Sequence, residues 1–277
     1  MAVTLANPRG PVAPDTYHGG MSVLPASVRL ALWATASFAD RSRLEDVLSR
    51  ALPDVDHVDG DPLARLGLWR DLGERAVLVA LPRPGDLRGM PRGSAEFAAA
   101  ATAAGECVYV PGMGGALVPR VEVYGPEVDQ GTRMTWTAYD TDPVPVHALE
   151  ALSLGEVERE LRSELAELTE ALDGLDARPW SGSDLRATAD ERLGGRGWGL
   201  PDGLSPRCIR VMTMAAQVGT ITDVGLSHVG HAVDTHGTER RRALLADLQG
   251  VADRALAQAA TVAALGLAGM RPAGARD

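Results

Sequence analysis

The hydrophobic period of this chain changes near residue 145, and that change bounds the fold more tightly than any other feature. Upstream, short apolar runs are bounded by glycine and proline; downstream, leucines recur three or four residues apart. Four upstream segments predict strands: AVLVAL at 76–81, CVYVP from Cys107, ALVPRVEVYG from Ala116 and TRMTWTAYD from Thr132. In the third, Val121 and Val123 alternate with Arg120, Glu122 and Tyr124, the pattern of a half-buried strand. Pro119 has no amide to donate, which puts the beginning of that strand at an edge or a bulge. Gly112, Gly114 and Gly115 supply one turn, and Pro126 with Asp129, Gln130 and Gly131 another, so the strands are expected to run as an antiparallel meander.

Helical signals flank this sheet. Val28, Leu32, Trp33 and Ala36 fall near one helical face, and Leu44, Val47, Leu48 and Leu52 repeat at helix spacing before Pro53 stops them. A short helix is predicted over 63–72, ending near Gly73, and Ser94 caps an alanine-rich helix that ends at Gly105. The intervening DVDHVDGDP segment reads as a turn. Beyond Leu149, Ser153 and Glu156 form a capping box for a stripe of Leu154, Val157, Leu161, Leu165, Leu168, Leu172 and Leu175. Ser205 and Pro206 open another helix, and the last runs from about 238 to 265. The fold class is therefore α+β: a small, mainly antiparallel sheet with N-terminal helices, followed by a C-terminal helical module. The expected divisions are a flexible arm at 1–20, an α+β domain at 21–145, a helical domain at 146–268 packed on the first, and a flexible tail at 269–277.

Composition removes several chemistries. All 27 basic residues are arginine. A P-loop, a kinase site and a pyridoxal Schiff base each need a lysine, so none is available in its usual form. A net charge of −10 argues against nucleic acid as a partner, and the arginines at 41, 43 and 240–242 stand beside acidic residues as solvated faces. The N-terminal 20 residues lack a basic region followed by an apolar run, and no window of about 18 apolar residues would span a membrane. Cys107 and Cys208 are too few for a disulfide framework, so a cytoplasmic location with reduced thiols is expected. The five tryptophans belong to the core or to an interface between the two halves.

Three clusters could carry function. The loop at 82–93 follows a predicted strand and precedes a predicted helix, and Arg83, Arg88 and Arg92 there could grip a phosphate or carboxylate. It matches neither the Walker pattern nor a dinucleotide fingerprint. Asp223, His228, His231, Asp234 and His236 bring three of the six histidines into nine residues, ligand types that suit zinc or another divalent metal. Asp54, Asp56, His57, Asp59 and Asp61 have the oxygen density of a hard-cation site but not the EF-hand spacing. Leu154, Leu161, Leu165, Leu168 and Leu172 either pack within the chain or meet a protein partner or a second copy. With no complete catalytic pattern, the leading expectation is a noncatalytic interaction or regulatory protein without a cofactor. The alternatives are a metal-dependent hydrolase built on 223–236 and a phosphate- or carboxylate-binding domain built on 82–93.

Overall fold

A computed structural model describes residues 24–126, 129–173, 198–228 and 235–270. Buried apolar runs form its centre. Strands β2 (Leu78–Ala80) and β3 (Cys107–Tyr109) are buried at every position, as the continuous apolar sequences require. They join β4 (Ala116–Tyr124), β5 (Gly131–Tyr139) and β1 (His57–Asp59) in a five-stranded sheet of order β1-β5-β4-β3-β2. Neighbours from β2 to β5 are antiparallel, and only β1 runs parallel, along β5. The segment read as a turn thus contains an edge strand, too short for periodicity to reveal.

Pro119 has a clear place in this sheet. β3 pairs with β4 only at Ala116 and Leu117, so by Pro119 the strand has passed the end of its inner neighbour and needs no amide on that side. The alternation expected of this strand holds at Val121, which packs on the core between exposed Arg120 and Glu122, and ends at Val123, which is 48% exposed where the strand leaves the core.

Helix α1 (Ala26–Asp40) differs most from its sequence pattern. One apolar face was expected, yet Val28, Leu30, Leu32 and Ala34 are all buried, together with Ser27, Arg29, Thr35 and Ser37. The helix is enclosed because it contacts α2 (Glu45–Ala51), β2, β3 and the long final helix at once. Thr35 and the terminal nitrogens of Arg29 are satisfied, while Arg29 Nε has no hydrogen-bond partner among the described residues. Thr35 Oγ1 receives Val77 N–H at 2.8 Å and donates to Val77 O at 3.1 Å, and Arg29 holds Asp54 with both terminal nitrogens, at 2.7 and 3.1 Å.

Local signals set the remaining boundaries. Asp61 caps α3 (Pro62–Asp71) through Ala64 N–H at 3.2 Å, and Ser94 caps α4 (Ala95–Ala104) through Phe97 N–H at 3.1 Å. A short α5 (Val146–Glu150) leads to α6 (Leu154–Asp173), whose Glu156 N–H meets Ser153 Oγ at 3.4 Å. Ser205 caps α7 (Pro206–His228), and α8 (Thr235–Leu267) closes the described chain. The architecture is α+β, with N-terminal helices, a mostly antiparallel sheet and a C-terminal helical region.

α8 packs along α7, α6, α1 and β2, so one hydrophobic cluster extends from Leu24 to Ala268. Leu154 and Leu161 of the leucine stripe are buried in it; each contributes about 1.5–3 kcal/mol. Leu165 and Leu168 pack on Val218, Leu248 and Ala252, and Leu172 is half-buried. Most of the stripe therefore faces its own chain. Among the described residues, no helix is long and apolar enough to cross a membrane.

Candidate functional site

The structure divides the arginine trio of the 82–93 loop. Arg83 Nε lies 2.6 Å from Asp253 of α8, and its Nη2 is 3.2 Å from the Gln249 side-chain amide. Arg88 closes a two-pronged pair with Asp86, both contacts at 2.8 Å. Asp86 also receives Arg254 at 2.7 Å, and Arg254 reaches Glu164 of α6 at 3.4 Å. The Arg88 guanidinium, joined by that of Arg254, holds the Asp86 carboxyl far below the ordinary range. Burial pushes Asp253 up, against the pull of Arg83. Arg83 of the loop and Arg254 of α8 thus clasp the loop to the helical half, Arg88 is paired within the loop, and two of the three candidate arginines are engaged by the chain's own carboxylates.

Arg92 stands apart. Among the described residues its guanidinium has no carboxylate within ion-pair distance, and its side chain is exposed. It borders a cleft of about 700 Å³ formed by Leu87, Met90, Phe97 and Ala98 on one side and Asp140, Thr141 and Asp142 on the other. Both walls are fixed by backbone hydrogen bonds. Asp142 N–H donates to Arg92 O at 2.7 Å, Gly93 bridges to Thr141, and Gly115 N–H donates to Thr141 Oγ1 at 2.8 Å. At the N-terminus of α4, Phe97 N–H goes to the Ser94 side chain and Ala98 N–H to its carbonyl, which leaves the amides of Ala95 and Glu96 outside the helical ladder. A second, shallower groove of about 560 Å³, lined by Pro84, Leu87, Ala98, Ala99, Thr102 and Ala103, adjoins the cleft through Leu87 and Ala98.

Sequence reasoning found Arg92 but missed its opposite wall. Asp140 and Asp142 lie some fifty residues further on, at the end of β5, and only sheet pairing brings them beside the loop. The glycine turn at 112–115 also has an internal role. Met113 N–H donates to Glu74 Oε1 at 2.5 Å, so the turn's amides hold the chain's own carboxylate, whose pKa burial raises.

The acidic 54–61 cluster separates into structural contacts. Asp54 pairs with Arg29, Asp56 accepts Thr132 N–H at 2.7 Å, Asp59 lies 3.5 Å from Arg133, and Asp61 caps α3. Of the histidine cluster, His231 and Asp234 lie outside the described residues. His228 ends α7 and His236 falls in the first turn of α8, with neither side chain described. Asp223 lies on α7, close enough to Asp253 to raise its pKa. Among the described residues, no three His, Cys, Asp or Glu side chains are grouped to hold a metal. Both cysteines are buried, and burial pushes the Cys107 thiol up to about 12.

A second polar cluster surrounds the start of α1. Glu106 accepts Ser27 N–H at 2.7 Å, and its carboxylate is enclosed. Burial raises its pKa, while Ser27 and Arg29 oppose the rise. A raised folded-state pKa favours the protonated form, so stability from this group is full at low pH and is lost as pH rises through the folded value. Glu106→Gln is therefore expected to melt above the parent at pH 8, by about 1 kcal/mol in stability, and the advantage should shrink toward pH 4. Thermal melts across that range check this; a difference independent of pH would contradict it.

Residues 27–150 match the family model described as Rv1486c-like protein, N-terminal domain, and residues 155–273 match the corresponding C-terminal domain. Uncharacterized protein Rv1486c of Mycobacterium tuberculosis is 30% identical over 247 residues, covering 73% of this chain and 84% of that protein. Uncharacterized protein MAV321 of Mycobacterium avium is 29% identical over 249 residues, covering 73% and 79%. No solved structure matches. With both domains matched in order along the chain, and a relative 30% identical over most of its length, the chain belongs to the Rv1486c-like family.

Proposed function

We propose that this chain is a noncatalytic interaction protein whose α4–β5 cleft receives the carboxylate end of a partner's polypeptide. The observation that carries the reading is Arg92, whose guanidinium has no carboxylate within ion-pair distance among the described residues and which shares the cleft with an apolar wall. Asp140 and Asp142 decide the ligand's charge. One arginine facing two carboxylates leaves the cleft net negative, which disfavours a phosphate dianion and favours a carboxylate with a cation nearby. Leu87, Met90 and Phe97 offer an apolar side chain a place to pack. A peptide ending in a basic residue followed by leucine has all three features. A cytoplasmic setting suits the two buried free cysteines.

Calorimetric titration with a glycine-arginine-leucine tripeptide, and with its C-terminal amide, tests the reading. The free acid should bind and the amide should bind at least tenfold more weakly. Arg92→Gln should lower affinity for the acid by a similar factor without changing the melting temperature, because Arg92 supports no internal contact through its side chain. Equal binding of acid and amide, or binding of neither, would overturn the proposal.

A further inference from the structure

We infer that Asp253 and Arg254, adjacent residues of α8, are positioning residues for the cleft: through the 82–93 loop they set the apolar wall that selects the ligand's side chain. The inference rests on the carboxylate reading of the cleft and names what controls its preference. Among the described residues, the helical half contributes nothing to the cleft lining, yet the loop that forms one wall is fastened to that half. Arg83 and Asp86 stand at the two ends of a tight turn, exchanging both backbone hydrogen bonds at 2.9 Å across Pro84 and Gly85. The turn therefore presents one cation and one anion, and the neighbouring Asp253 and Arg254 present the complement. Arg83 Nε meets Asp253 Oδ2 at 2.6 Å, and Arg254 Nη1 meets Asp86 Oδ2 at 2.7 Å.

The loop depends on this fastening because its backbone supplies none there. Among the described residues, the backbone hydrogen bonds of 84–91 stay inside the loop, Asp86 with Arg83 and Met90 N–H with Leu87 O at 3.2 Å. The next backbone tie to another segment comes at Arg92, whose carbonyl accepts Asp142 N–H. Leu87 and Met90 lie between these two anchors, and Leu87 directly follows Asp86. Leu87 is 48% exposed, so packing alone holds it weakly. The side chains of Asp253, Arg254 and Asp86 are at most 21% exposed, so water and salt weaken these pairs less than they weaken open surface pairs. The clasp thus governs the apolar wall, whereas Arg92 is held at the other anchor. Recognition of the ligand's side chain and of its carboxylate are therefore controlled separately.

Asp253→Asn combined with Arg254→Gln removes both charges of α8 at little change in volume; should that variant not fold, Arg254→Gln alone carries the same comparison. Limited trypsin digestion, read by mass spectrometry at the Arg88–Gly89 bond, reports the loop without any ligand. Cleavage should run about tenfold faster than in the parent, because it follows the population of released loop. Calorimetric titration then compares glycine-arginine-leucine with glycine-arginine-glycine and with the leucine tripeptide's amide. The parent should prefer leucine over glycine about tenfold and the variant less than about threefold, while the ratio of acid to amide binding stays at the parent's value. A loop cut at the parent rate, faster cutting with the leucine preference intact, or an acid-to-amide ratio that falls along with the leucine preference would each overturn the inference. A parent that binds no tripeptide defeats the carboxylate reading instead, and the cleavage rate alone then decides whether α8 holds the loop.

Discussion

Asp54→Ala is expected to destabilise the protein by about 3 kcal/mol, because it leaves the Arg29 guanidinium in the interior without its two-pronged partner. The Arg29 side chain is only 5% exposed, so water cannot replace the lost oxygens. Glu106 tempers the loss. Its carboxylate already feels Arg29 and becomes the remaining counter-ion when Asp54 is gone. The two acids are therefore coupled, and the sign of one substitution depends on the other. Glu106→Gln alone stabilises at pH 8, whereas added to Asp54→Ala it should destabilise further, since the guanidinium then has no anion. Urea unfolding of the parent, both single variants and the double variant measures the cycle. Additive effects within about 0.5 kcal/mol would show that the two acids do not share Arg29.

Gly114→Ala should cost about 3 kcal/mol or more, and it should also disturb the cleft. Gly114 has φ +81, and a Cβ there would lie 2.0 Å from the Thr141 carbonyl oxygen. Backbone would have to move to relieve that overlap, and the segment that moves carries Asp140 and Asp142. Gly105 provides the comparison. It has φ +74 as the cap of α4, but a Cβ there meets nothing within 4 Å. Gly105→Ala isolates the conformational cost, about 1 kcal/mol. The excess loss in Gly114→Ala measures the collision. Unfolding free energies of the two variants check the difference; equal losses would mean that the 140–142 wall yields without resistance.

Most of the secondary structure was legible in the chain because its causes are local. Ser94, Ser153 and Ser205 meet amides three residues away, and Gly105 ends α4 at the expected place. The strands from Leu78 to Tyr139 followed from apolar runs and glycine turns. His57–Asp59 escaped notice because three residues show no period, and α1 appeared one-faced because its small polar residues hid how much of the helix is buried. The cleft was half legible. The 82–93 loop and Arg92 were visible as an arginine-glycine segment, but nothing near them indicated Asp140 and Asp142 or which arginines would be clasped.

By itself the sequence determined the order and type of most elements, the absence of lysine chemistry and the acidic charge, all properties of composition or of groups a few residues apart. Tertiary structure decided what each charged group does. Arg83 meets Asp253 across 170 positions and Arg254 meets Asp86 across 168, while Arg92, in the same loop, has no such partner among the described residues. Those assignments depend on α8 packing over β2 and on β5 ending beside the loop. Burial and distance separate equivalent arginines into structural clasp and open donor, and both quantities arise only when distant segments share one core.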